Sequence, residues 1–384
     1  MSKKILIVDD SALMRRVLCD IINSDDRFEV ADFAINGADG FKKIVAKKFD
    51  AVVLDVYMPQ MTGLQMLEEM QRSNVKANVL MASTTTKEGA RETLAALELG
   101  AIDFITKPEN VADTRNDKFR SRFLDLLWAV ANANLAGISF NKVQTSASSP
   151  RVFESRFDVN FHNITDKDKY QKKEDVKPSS PVTNLRTHQR AIGKKIVAIA
   201  SSTGGPTALQ HVIPKLPSNL AAPVLLVQHM PKGFTLSLAE HLNDMSPIAV
   251  EEADDNTCLE NGHVYIAKGG KHLKVVRETT KYHLECTDEP AREGVKPCAN
   301  YMYESLADSN FDEVVCVVLT GMGADGTEGI CNLNKSKKLY IIAQDEQTAT
   351  IYGMPKAIAQ TGLVNEICPL DEIAEMIIKE VGVL

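Results

Sequence analysis

The stretch VVCVVLTGMGADGTEG, residues 314–329, runs from six apolar residues into a glycine-rich turn that reaches Asp325. A short, continuous, largely β-branched run bounded by glycines predicts a strand buried on both faces, as in a parallel sheet. The turn itself has two readings. Gly321, Gly323 and Gly326 spell G-x-G-x-x-G, a pattern that can cradle a dinucleotide pyrophosphate. The same turn can instead present one carboxylate at the carboxyl end of a strand.

The unit recurs along the C-terminal half. KKIVAIA (194–200), APVLLVQ (222–228) and LYIIAQ (339–344) are further buried-strand runs with helical spacing between them. HVYIAKGGKHLKVVRETTKYHLECTD (263–288) alternates closer to period two and predicts an inserted β-hairpin region. Residues 1–133 repeat the pattern. KILIVD, AVVLDVYMP, NVLMAS and DFITKP read as strands, separated by amphipathic segments such as SALMRRVLCDIINS. DKFRSRFLDLLWAVANAN closes this half as a helix with Phe119, Phe123, Leu127 and Val130 on one face and Trp128, the chain's only tryptophan, filling core. The predicted fold is α/β: two doubly wound parallel-sheet domains over residues 1–133 and 192–384. Between them residues 134–191 are rich in serine, proline and mixed charge without a sustained period, and predict a linker. A flexible chain of that length spans on the order of 40 Å, enough for two domains to dock or separate.

Composition narrows the function classes. With 44% hydrophobic and 25% charged residues the chain is ordinary globular material. No stretch approaches the roughly 18 apolar residues of a membrane span, and the N-terminal MSKKILIVDDSA is too soon acidic for a signal peptide, so a cytoplasmic location without membrane insertion is expected. Seven scattered cysteines without a C-x-x-C pair predict reduced, mostly buried thiols rather than disulfides or a zinc site. Net charge is −7, and residues 193–384 carry 16 Lys and Arg against 25 Asp and Glu, a poor surface for nucleic acid.

In open parallel sheets, ligands collect at the carboxyl ends of strands. In the first domain those ends offer Asp9 and Asp10, Asp55, Ser83 and Lys107. Any one aspartate could simply cap a helix, but the convergence of all five predicts a crevice. Three gathered carboxylates call for a hard cation such as Mg²⁺. In the second domain the strand ends offer Ser202, His229 and Asp325, the parts of an activated-serine mechanism. Separately, Ser202 could cap a helix and His229 could be a bonded core histidine, although of eight histidines it alone directly ends an apolar strand run. The dinucleotide reading has Asp345 19 residues past Gly326, near the spacing for a ribose contact. Against it, only 63 residues lie beyond Gly321, and Ser202 and His229 would have nothing to do.

LIVDDSALMRR, VVLDVYMPQMTGL, VLMAST and GAIDFITKP together resemble the response-regulator receiver domain over about 120 residues. That resemblance implies Asp55 as phospho-acceptor, Asp9 and Asp10 with Asp55 as the Mg²⁺ site, Ser83 bonding a phosphoryl oxygen, Lys107 pairing with its charge, and Phe104 as an aromatic that reorients. IASSTGGP, VQHMPKGF, LTGMGADGTEG and IAQDEQTATIYGMPKAI look like the catalytic domain of the chemotaxis response-regulator protein-glutamate methylesterase (CheB) family. By that resemblance Ser202 is the nucleophile, His229 the base, Asp325 the orienting acid and the Met322 N–H an oxyanion donor. It further implies methyl-accepting chemotaxis receptors as substrates, a chemotaxis histidine kinase as phosphodonor, and no cofactor for ester hydrolysis. Two stretches depart from the family pattern. VKPCAN stands where Arg-Pro-Ser-Val-Asp is usual, so Lys296, Cys298 and Asn300 replace typical residues, and NLNKSKK stands where a Gly-rich turn is common. The rival expectation is a signalling adaptor that has kept the fold and only binds receptors.

Overall fold

Two parallel sheets, each between helical layers, make up the computed structural model, which describes residues 2–84, 86–107, 117–133, 194–278 and 281–384. The linker expected over 134–191 lies outside the described residues. The N-terminal sheet comprises β1 (Lys3–Val8), β2 (Phe28–Ala34), β3 (Ala51–Asp55), β4 (Val79–Ser83) and β5 (Asp103–Thr106) in the order β2-β1-β3-β4-β5. All four pairings are parallel. The strand order reverses direction between β1 and β3, so a crevice opens there, flanked by Asp9 and Asp55.

The second sheet contains β6 (Lys195–Ser201), β7 (Val224–Gln228), β8 (Ala249–Glu252), β9 (His263–Ile266), β12 (Glu313–Val318), β13 (Lys338–Gln344) and β14 (Glu366–Cys368). Its order is β14-β13-β12-β6-β7-β9-β8, again wholly parallel. The central strands carry continuous apolar runs because helices cover both faces: Val314–Val318 of β12 and Ile196–Ala200 of β6 are buried throughout. Each fully buried Val, Leu or Ile side chain contributes about 1.5–3 kcal/mol, which outweighs the modest β-propensity of any single residue. From β6 the chain winds one way through β7 to β9 and the other way through β12 to β14. The switch point lies between β6 and β12.

β10 (His272–Glu278) and β11 (Lys281–Thr287) form a separate antiparallel ribbon. Part of the segment read as hairpin therefore belongs elsewhere: His263–Ile266 joins the main sheet as β9, because its Val264, Tyr265 and Ile266 are buried there. Trp128 also departs from expectation. It is 38% exposed, set edge-on to Phe28 at 5.9 Å with the Arg27 guanidinium over its ring. It sits on the rim because Phe123, Leu127 and Val130 already fill the inward face of its helix. The seven cysteines are free thiols, four of them buried.

The two sheet layers pack on each other through the Lys87–Glu98 and Phe234–Met245 helices. Leu94, Leu97 and Phe104 share one buried cluster with Phe234 and Leu238. Phe104 stacks on Phe234 with centroids 4.5 Å apart, and the rim carries Arg91–Glu240 at 3.3 Å and a His241–Glu98 pair.

Candidate active site

Ser202, His229 and Asp325 come after β6, β7 and β12, the three adjacent strands around the switch point. His229 Nε2 lies 2.7 Å from Asp325 Oδ2, which leaves Nδ1 as the nitrogen able to take a proton. Asp325 is 3% exposed and heavily bonded: Oδ1 accepts from Cys298 Sγ at 3.0 Å and Asn300 N at 3.1 Å, and Oδ2 from Ala299 N at 2.6 Å. Burial pushes this carboxyl upward, but the bonds from His229, Cys298 and Ala299 outweigh it and hold it below the usual range. It is therefore ionised beside the imidazole at neutral pH.

Ser202 is held by its backbone. Its N–H donates to Thr320 O at 3.0 Å and its carbonyl accepts from Gln228 Nε2 at 3.0 Å. Thr320 Oγ1 donates to Thr203 O at 2.9 Å, and Thr320 N in turn donates to Gln344 Oε1 at 2.8 Å. The Ser202 hydroxyl makes no hydrogen bond to His229 among the described residues; nucleophile–base contacts commonly tighten only with substrate in place. The Met322 N–H is without a hydrogen bond among the described residues, and the residue is 39% exposed. Thr203, Gln228, Thr320 and Gln344 were not singled out from sequence. Their only signal there is position at the ends of buried strands.

The glycine pattern is explained by this packing. A Cβ on Gly321 would lie 2.8 Å from the Ser202 Cβ and 2.4 Å from Met354 Sδ, so glycine lets the turn approach the serine. Gly326 takes φ 91° and starts the Thr327–Leu333 helix against Tyr303. Asp345 is spent locally, its Oδ1 accepting from the Thr348 N–H at 2.9 Å and its hydroxyl at 2.5 Å. With Asp325 ionised inside the turn, a pyrophosphate would meet like charge. Calorimetry with millimolar NAD is therefore expected to show no binding; a saturable heat weakened by Asp345→Ala would restore the dinucleotide reading.

In the N-terminal crevice, Asp9 is 1% exposed and Asp55 is buried beside it. Lys107 Nζ bridges them at 2.7 Å to Asp9 Oδ2 and 2.8 Å to Asp55 Oδ2. Burial raises Asp55 to about 6 against the pull of Lys107. Ligand atoms of Asp9, Asp10 and Asp55 all fall within 4.8 Å of one another, a set of hard oxygen donors that suits Mg²⁺. Ser83 ends β4 as expected, but its hydroxyl donates to Gly89 O at 3.2 Å and accepts from Thr93 Oγ1 at 2.7 Å, so it is turned toward the next helix. Phe104 is buried against Phe234 rather than free.

Sequence reading missed one residue of the N-terminal sheet that lies near the serine loop. Asp103, at the start of β5, lies close to Thr203, and burial pushes its carboxyl upward. Its Oδ1 also accepts the Phe104 N–H at 2.8 Å. A carboxylate of the N-terminal layer thus sits next to the residue immediately after Ser202.

Both halves of the chain are similar to known proteins. The family model described as CheB methylesterase matches residues 197–377, and the response regulator receiver domain matches residues 5–117. A protein-glutamate methylesterase/protein-glutamine glutaminase of Geobacillus kaustophilus is 38% identical over 379 residues, covering 99% of both chains. The chain belongs to the CheB methylesterase family. A Bacillus subtilis family member of the same description is 38% identical over 97% of each chain. The crystal structure of the Thermotoga maritima CheB methylesterase catalytic domain covers 49% of this chain and 99% of its own, at 37% identity and a TM-score of 0.47. Among the described residues no helix is long and apolar enough to cross a membrane.

Proposed function

We propose that this protein hydrolyses methyl esters of glutamyl side chains on chemotaxis receptors, under control of its own receiver, in the cytoplasm. The division of labour is a receiver over residues 1–133, a linker over 134–191 and a catalytic domain over 192–384. The observation that carries the reading is the buried His229–Asp325 pair at 2.7 Å, set at the same switch point as Ser202. In the reaction Ser202 Oγ attacks the ester carbonyl while His229 Nδ1 takes its proton. The oxyanion that forms is met by the Met322 N–H. Collapse expels methanol, which receives the proton from the imidazolium that Asp325 has stabilised. Water, deprotonated by the same imidazole, then splits the acyl-serine and releases glutamate. The same steps on a glutaminyl amide release ammonia. Methanol release from methylated receptor tests the reading directly; receptor binding without turnover would favour the adaptor alternative.

The receiver reading assigns Asp55 as phospho-acceptor from a chemotaxis histidine kinase. When bound, Mg²⁺ would supply positive charge among Asp9, Asp10 and Asp55, and Lys107 is already placed to pair with an anion on Asp55. Ser83 would have to leave Thr93 and Gly89 to reach a phosphoryl oxygen. Such a change in β4 and the Lys87–Glu98 helix would bear on Phe104, stacked on Phe234, and on Asp103, close to Thr203. This arrangement is thus read as the closed one. A shift from 1:99 to 99:1 open requires about 5.5 kcal/mol of differential stabilisation, and a smaller gap gives weaker gating. Two results are expected, one without phosphodonor and one with it. Residues 192–384 produced alone should release methanol faster than the unphosphorylated full chain, and Asp55→Asn should abolish activation by acetyl phosphate with Mg²⁺. Equal rates for the isolated domain and the unphosphorylated chain would rule out inhibition by the closed receiver.

A further inference from the structure

Cys298 lies wholly buried in one of the two stretches that depart from the family's usual pattern. It is held from two sides. Its N–H donates to His272 Nδ1 at 3.2 Å, and His272 Nε2 faces Pro290 O at 3.2 Å, so that neutral ring is locked in one tautomer. Its thiol donates to Asp325 Oδ1 at 3.0 Å. Burial and the neighbouring Asp325 push the thiol up to about 12, so it stays protonated and can only donate. Two residues on, Asn300 adds a backbone donor to the same oxygen, while its side-chain oxygen accepts from Gly326 N at 3.1 Å and Gly329 N at 2.6 Å, and its amide donates to Glu293 at 2.7 Å. The departing stretch is therefore the clamp on the orienting carboxylate.

We propose that Cys298 is a positioning residue of the triad, its thiol fixing Asp325 through Oδ1 so that Oδ2 faces His229 and the negative charge on that face is set by a weak donor. This rests on the esterase reading of Ser202, His229 and Asp325. A thiol is a weaker donor than a hydroxyl or amide. It satisfies Oδ1 in a dry site without drawing much charge from the oxygen that stabilises the imidazolium.

The pH dependence gives the test. Groups facing His229 and its partner are Asp325 itself, Asp103 from β5, and, behind Asp325, Cys298, Tyr303 and the His272 ring that accepts from Cys298. Losing the thiol donor concentrates charge on Asp325, favours the imidazolium, and raises the pH above which His229 is a free base. In the full chain activated with acetyl phosphate and Mg²⁺, Cys298→Ala and the volume-preserving Cys298→Val are expected to lower kcat several-fold at near-constant KM. They should also move the acid limb of kcat/KM upward by roughly half a pH unit. Cys298→Ser, which keeps a donor, should leave the limb at or below its wild-type position. The ring NMR titration of His229 should move in step, and it needs no turnover. A wild-type protein that releases no methanol would defeat the esterase reading, whereas the NMR shift would still decide the clamp. An acid limb and a His229 titration at wild-type positions in both Cys298→Ala and Cys298→Val, with only melting temperature lowered, would make Cys298 a packing residue and overturn the proposal. If Cys298→Val fails to fold, the Ala and Ser pair decides alone.

Discussion

Ser202→Ala is expected to cut methanol release by on the order of 10⁴-fold or more while leaving thermal stability unchanged, and Ser201→Ala to lower stability while largely sparing activity. The two adjacent serines have opposite surroundings. The Ser202 hydroxyl has no hydrogen bond in the fold among the described residues, and the loop is held by its N–H and carbonyl, which alanine keeps. Ser201 Oγ is buried and donates to Gln228 Oε1 at 2.6 Å. Removing it orphans that oxygen at a cost of about 1–3 kcal/mol. Because Gln228 Nε2 holds the Ser202 carbonyl, a modest activity loss should accompany the stability loss. Parallel methanol-release and melting measurements on the two variants separate the roles. Comparable turnover in Ser202→Ala and wild type would sink the serine mechanism.

Asp325→Asn is expected to lower kcat by a similar order, about 10⁴-fold, with KM little changed, since an orienting carboxylate acts mainly in the transition state. The structure adds a second consequence. Four donors converge on the two Asp325 oxygens: His229 Nε2, Cys298 Sγ, Ala299 N and Asn300 N. An asparagine offers one acceptor oxygen, and its NH₂ must point a donor at other donors. If the NH₂ faces His229, the ring must turn its lone pair toward it and carry the proton on Nδ1, the nitrogen that should accept from serine. If it faces Cys298 and Asn300, those donors lose their acceptor in a dry site. The variant should therefore melt lower as well as turn over slowly. Turnover within a few-fold of wild type would show that His229 does not depend on Asp325, and with Ser202→Ala inactive it would point to another orienting group.

These residues were legible because parallel α/β architecture writes itself locally. A strand covered on both faces must be a short apolar run, and the chain must turn at its carboxyl end. KKIVAIA, PVLLVQ and VVCVVL announced β6, β7 and β12, and so Ser202, His229 and Asp325; the same logic located Asp9, Asp55, Ser83 and Lys107. Edge strands are written more faintly. β2, β8 and β14 are half exposed and interleaved with polar residues, because one side of an edge strand meets water or a loop. Other features could come only from tertiary structure. Strand order is set by non-local pairing, and it alone places β12 beside β6 across more than a hundred residues and creates the switch point. Cys298 reaches Asp325, Trp128 is displaced to the rim, Phe104 stacks on Phe234, and Asp103 lies close to Thr203, all through contacts between distant segments. A hydrophobic period reports which face of an element is buried. It carries no record of the partner that buries it, and so the residues on the strand ends were readable while the groups that hold and cover them were not.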